Sequence, residues 1–234
     1  MSYFDDIFTK NIDRDCVSTI FEVGSMNLRD ALGLYRYYQC PVYAFECNPD
    51  CISECSKTRS TFSTEENNAI HLIQKAVSEK NGTVVFHPFD IKKYNNMGSS
   101  SLLKIDFGKR EPWDPDYMRE NPQVDILVDS VRLDSFMVDS GIEKVDLVCM
   151  DLQGYELYAL MSMGDHIQNT KYIITETCIQ STYTGGSTFK DIHEYLTTKG
   201  FKYTCSNRFG TAFPDMTLKG YSEFDALFVN CKNT

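Results

Sequence analysis

Four short apolar runs in this chain each carry an acid at or beside their exit, and that pattern limits the fold more than any other feature. Ser18-Thr19-Ile20-Phe21-Glu22-Val23 stops at Gly24, and Val42-Tyr43-Ala44-Phe45 leads to Glu46. Val145-Asp146-Leu147-Val148-Cys149-Met150 leads to Asp151, and Lys171-Tyr172-Ile173-Ile174-Thr175 leads to Glu176. Between them the apolar period changes from strand to helix: Leu28, Ala31, Leu32, Tyr35 and Tyr38 share one helical face. A second helix opens near Gly154, and another over 188–198 stops at Gly200. Strand-length runs alternating with helices predict an α/β fold on a mainly parallel sheet, built as a single domain of 234 residues. A third strand is expected over about 69–77, pairing as a hairpin through Asn81-Gly82 with Thr83–Phe86. The pattern resumes at 124–128, and Phe201–Ser206 and Phe224–Asn230 supply closing strands. Residues 1–17 read as an N-terminal helical extension, and the proline-rich 108–123 as a loop insertion.

Sheets of this kind bind ligands beyond the carboxyl ends of their strands, so the residues at those exits carry the functional reading. Gly24 would let the backbone approach a ligand closely. Glu46 lies 46 − 24 = 22 residues further on, the spacing at which a carboxylate grips both hydroxyls of a ribose; the alternative is a solvated strand-end acid. Asp151 either faces the ligand or caps the following helix, and Glu156 is favoured by that helix's dipole. Lysine and arginine number 23 against 33 acids, a net charge of −10. With a pI near 4.9 this excludes a protein held on nucleic acid by phosphate contacts and suits a cationic ligand where acids converge. A nicotinamide dinucleotide would want G-x-G-x-x-G at the first turn, but Gly24 stands there alone. S-adenosylmethionine (SAM) has the ribose without the pyrophosphate, and its sulfonium is a cation.

The segments IFEVGSMNLRDAL, VYAFECNPD, IQKAVSEKNGTVVFH, GSSSLL, VRLDSF, VDLVCMDLQGYELYAL and YIITET occur in that order over residues 18–204. In this the chain resembles the FkbM family of SAM-dependent methyltransferases. The resemblance implies a class I methyltransferase (Rossmann-like) fold: a seven-stranded, mostly parallel sheet with an antiparallel last strand and helices on both faces. It also implies methyl transfer to hydroxyl oxygen, with sugars and glycans as acceptors. The cofactor would then meet Glu22, Gly24, Ser25, Asn27, Glu46, Cys47, Asn48, Ala76, Val77 and Asp151. Three departures stand out: Glu22 replaces the usual Asp of the first strand, the turn's second glycine is missing, and 108–123 is longer than the family's connection.

A sugar hydroxyl is a poor nucleophile while protonated, so a base or a divalent cation is wanted. Asp151 and Glu176 suit either role, as base or as oxygen ligands of Mg2+ or Mn2+. His87 is the further candidate base, while His71, His166 and His193 read as structural. Ser100, Trp113 and Tyr183 are the candidate acceptor contacts; Ser99–Ser101 alternatively form a turn, and Trp113 alternatively anchors its own loop. Cys47, Cys51 and Cys55 recur every four residues and read as a buried, reduced helix face rather than a metal site. The expectation is a soluble, cytoplasmic protein with no nucleic-acid partner and no membrane span, with a homodimer left open. Two rivals remain at this point: a nicotinamide-dependent reductase or epimerase, and a SAM-fold scaffold without catalysis.

Overall fold

The computed structural model describes residues 3–94, 96–108, 122–218 and 223–232. Its main sheet begins with β1 (Ile20–Val23), β2 (Val42–Phe45) and β3 (Ile70–Ile73), and continues with β7 (Leu147–Met150), β8 (Tyr172–Cys178), β9 (Phe201–Ser206) and β10 (Glu223–Asn230). The spatial order is β3-β2-β1-β7-β8-β10-β9, parallel except for β10, which runs antiparallel to both neighbours. The expected seven-stranded sheet with its reversed last strand is therefore present. Strand order reverses between β1 and β7, where a crevice forms at the carboxyl ends.

Alternation along the strands feeds two cores. Phe21, Val23, Val148 and Met150 join the layer of α5 (Leu133–Asp139), α6 (Glu156–Met161) and α7 (Phe189–Thr198). Ile20, Leu147 and Cys149 join the opposite layer, with α1 (Asp6–Thr9), α2 (Arg29–Tyr38) and α3 (Pro49–Arg59). These helices start where their sequences dictate. Asn48 caps α3 by accepting from the Asp50 N–H at 3.1 Å, and Pro49 occupies the first helical position, where no N–H is needed. Thr188 and Asp191 form a reciprocal capping box on α7, whose Phe189, Ile192 and Leu196 are buried. Cys47, Cys51 and Cys55 are free cysteines, and burial pushes their thiols up toward the protonated form.

The segment expected as one strand over 69–77 divides. β3 follows α4 (Thr64–Ala69) and ends at Ile73, whose carbonyl accepts from both Glu46 and Lys75. The chain then leaves the sheet, and β4 (Ala76–Val77) enters a second, three-stranded sheet ordered β4-β6-β5. Here β5 (Gly82–Phe86) pairs antiparallel with β6 (Ile126–Val131), and the hairpin expected through Asn81-Gly82 does not form. The physical reason is visible at Asn81: its carbonyl accepts from the Arg132 N–H at 2.8 Å and its amide donates to Ser135 at 2.9 Å. The turn residue thus ties β5 to the start of α5 instead of closing on β4, which has two residues to offer.

Candidate active site

The crevice beyond β1, β2 and β7 holds a cavity of about 90 Å3 that opens to solvent. Gly24 and Met26 wall it after β1, and Glu46, Cys47 and Asn48 after β2. Ala76, Val77 and Phe86 close it from the small sheet, and residues 97–102 form a strap across it. Asp151, Leu152, Gln153 and Tyr155 enter after β7. Among the described lining residues Lys75 is the sole cation, set against Glu46 and Asp151.

Gly24 (φ +93) is required here. A Cβ at this position would stand 1.9 Å from the Asp151 carbonyl oxygen, so the backbone approaches the neighbouring strand's exit closely while also lining the cavity. Met26 takes the left-handed conformation (φ 52) that the missing second glycine would adopt with ease, at a cost of about 1 kcal/mol. Its N–H is held at 2.8 Å by Glu46 Oε2. Glu46 Oε1 also accepts from the Cys47 and Asn48 amides at 2.8 and 2.7 Å, so one carboxylate organises both turns. Burial raises its pKa against the pull of those three amides.

Glu22, Ser25 and Asn27 do not line the cavity. Glu22 is 1% exposed, in register between Ala44 and Cys149 on the α2 side. Burial pushes its pKa up to about 8, the neighbouring Ser25 hydroxyl opposing and the Asp30, Glu46 and Asp151 carboxylates adding. Asn27 spends its carbonyl on the Arg29 N–H at the start of α2.

Glu176 stands behind the cavity wall and reaches it through Gln153, whose Nε2 donates to Glu176 Oε2 at 2.7 Å and to Asp151 Oδ1 at 2.9 Å. Burial, then the carboxylates of Asp151, Glu156 and Glu223, hold Glu176 well above the usual carboxylate range. Glu156 is more than a dipole partner: it is buried, and its Oε1 accepts from the Leu152 and Gly154 amides at 2.8 and 3.1 Å, fixing the turn after β7. Burial raises it to about 7 despite those donors. Asp151, Glu156 and Glu176 can each place an oxygen within 4.8 Å of the others, a donor set of the kind Mg2+ or Mn2+ accepts. The Gln153 amide already occupies the space between two of them, presenting hydrogens rather than a lone pair.

The remaining candidates divide. Ser100 lines the cavity, with its Oγ accepting from the Phe89 amide at 3.3 Å and the Asn48 side chain at 3.4 Å. Ser101 Oγ donates toward the Leu152 and Gln153 carbonyls, so the strap is tied to both strand exits. Tyr183 is 4% exposed and outside the cavity lining, with its hydroxyl 2.8 Å from Gln153 Oε1 and 3.1 Å from the Ser99 carbonyl. His87 is buried away from the lining, its Nδ1 2.8 Å from Asp125. Trp113 lies outside the described residues. Sequence reasoning missed Gln153, Lys75 and Tyr155; the signal for Gln153 was its place inside Asp151-Leu152-Gln153-Gly154-Tyr155-Glu156, where the side chain after next from a strand-end acid turns back on it.

Comparison with known proteins gives one family and several distant folds. A family model described as the methyltransferase FkbM domain matches residues 26–203. The chain is 26% identical over 157 residues to the 2-O-methyltransferase NoeI of Sinorhizobium fredii, a match covering 66% of this chain and 60% of that protein's length. Among solved structures, magnesium protoporphyrin IX methyltransferase from Synechocystis with bound SAM is 10% identical at a TM-score of 0.48, over 96% of this chain and 74% of that one. A fibrillarin pre-rRNA processing protein of Methanococcus jannaschii is 14% identical at a TM-score of 0.47, over 93% and 68%. Among the described residues no helix is long and apolar enough to cross a membrane.

Proposed function

Because this chain belongs to the FkbM methyltransferase family, we propose that it is an O-methyltransferase that moves the methyl group of SAM onto a hydroxyl of a sugar in a glycan. The observation that carries the reading is the pairing of Asp151, just past β7, with Glu176, two residues before the end of β8, beside a cavity whose other end is organised by Glu46. A single cavity therefore offers one acid, Glu46, for a nucleoside hydroxyl and another, Asp151, for the reacting centre, with Glu176 behind it.

SAM would supply the electrophilic methyl group on its sulfonium. Glu46 would hold the ribose by one hydroxyl: an ionised carboxylate has about four acceptor sites, and three are taken by backbone amides. Ala76, Val77 and Phe86 give the adenine an apolar wall. Lys75, the cavity's one described cation, is matched to the carboxylate of the methionine tail. Asp151 faces the same space and would accept the acceptor's hydroxyl proton as oxygen, methyl carbon and sulfur come into line. Alignment of this kind can lower a barrier by up to about 7–11 kcal/mol, and a positioned base adds roughly 10²–10⁴ in rate. The sugar acceptor rests on the FkbM resemblance, and transfer to oxygen also on the relative that is a 2-O-methyltransferase.

The test separates the two ends of the cavity. Asp151→Asn should lower methyl transfer from labelled SAM to methyl glycosides of hexoses and deoxyhexoses by about 100-fold or more, with SAM affinity by calorimetry nearly kept. Glu46→Ala should weaken SAM binding instead, by tenfold or more. Near-normal turnover in Asp151→Asn removes the base assignment, and unchanged affinity in Glu46→Ala removes the ribose assignment.

A further inference from the structure

Gln153 has no part in the chemistry described so far, yet its side chain touches Asp151, Glu176 and Tyr183 at the acidic end of the cavity. Its two amide hydrogens go to Asp151 Oδ1 and Glu176 Oε2, and its Oε1 faces the Tyr183 hydroxyl at 2.8 Å. The donor count closes: two hydrogens meet two carboxylates, and the carbonyl meets a hydroxyl. The backbone is committed to this arrangement as well. Gln153 (φ 54) and Gly154 (φ 94) are consecutive left-handed residues, a conformation that disfavours a side chain such as glutamine. The Gln153 carbonyl is bound by Ser101, and the following turn by Glu156.

We infer that Gln153 is a positioning residue: its amide holds Asp151 and Glu176 side by side, and Tyr183 holds the amide. The inference rests on the methyltransferase reading of the site. Like charges dominate the surroundings. Glu156 approaches from α6, while Glu223 and Asp225 come from β10, with Asp225 in register with Glu176. No salt bridge reaches Asp151, Glu156 or Glu176 among the described residues. The amide thus adds two donors to the direct Asp151–Glu176 hydrogen bond, and it takes the place that a divalent ion would otherwise fill. Without it Asp151 would lose its fixed direction toward the acceptor.

Three variants test this. Gln153→Glu keeps the shape and the acceptor for Tyr183 but removes the donor; Gln153→Met removes both; Tyr183→Phe leaves the amide unanchored. Carboxyl-carbon NMR titration of the SAM-free protein should show the upper titration of the Asp151–Glu176 pair rising by about one unit or more in Gln153→Met, since N–H donors favour the charged form. Gln153→Glu should move it further in the same direction, and Tyr183→Phe less. With a methyl glycoside that the wild type accepts, kcat should fall about tenfold or more while KM for SAM changes little. Titrations and pH–rate profiles that overlay the wild type in both Gln153 variants overturn the inference. So does tight binding of Mn2+ alone, followed by electron paramagnetic resonance, that is lost in Asp151→Asn, because an ion would then join the carboxylates. If the wild type fails to bind SAM, the methyltransferase reading falls by itself and the titration still judges the bridge.

Discussion

Gly24 is the residue whose replacement has the most direct structural consequence. Its missing Cβ would sit 1.9 Å from a backbone carbonyl, which has no rotamer to yield. Its φ of +93° is also one that a side chain disfavours. Gly24→Ala should therefore push the exits of β1 and β7 apart, lowering the melting temperature and abolishing SAM binding in calorimetry; a variant that melts and binds like the wild type would show that the two turns part freely. Met26 and Leu28 (φ 52 and 64) occupy the same turn in left-handed conformations. Backbone strain of this kind gathers at functional sites, and here it borders the cavity where Gln153 adds another instance. The turn keeps the backbone path of a glycine-rich loop with methionine in place of the second glycine, and Glu46 secures it by binding the Met26 amide.

At the scale of elements, β1 carries an acid into an apolar layer. Glu22 alternates with Phe21 and Val23 and so points to the α2 side, where Ala44 and Cys149 flank it. A carboxyl raised to about 8 from an ordinary 4.5 binds its proton in the folded state while the unfolded chain has already lost it. Between those two values the native state holds more protons than the unfolded one, so stability falls as pH rises, by up to about 1.4 kcal/mol per pH unit for this one group. Its contribution is whole below about pH 4.5 and lost as pH climbs through 8. Glu156 and Asp225, each raised to about 7 by burial first, act in the same direction. Glu22→Gln should flatten this slope. Denaturant unfolding of wild type and variant at pH 5.5, 6.5 and 7.5 measures it, and parallel dependences would mean that Glu22 is charged in the folded protein.

For the molecule as a whole, binding and folding are linked: a ligand present at 100 times its Kd stabilises by about 2.7 kcal/mol. In a domain of this size that corresponds to roughly 5–10 °C in melting temperature. SAM should produce such a shift and NADH none; the reverse result would restore a nicotinamide reading. The main sheet and its strand-end acids were legible in the sequence because each depends on local pattern: apolar runs, helical spacing, and an acid at a fixed remove from a glycine. Glu46, Cys47, Asn48, Ala76, Val77 and Ser100 line one cavity. The small sheet was not legible. Its β5 and β6 are about 40 residues apart in sequence, and Asn81 carries a turn signal that is spent on Arg132 and Ser135 instead. Nor could spacing show that Tyr183 is buried against Gln153, or that His87 turns to Asp125, since both follow from how distant loops stack.

The contact between Gly24 and the Asp151 carbonyl leaves no slack between the two loops that flank the crevice. Any push of the first loop toward β7 is therefore passed straight to the backbone at Asp151, which lines the same cavity.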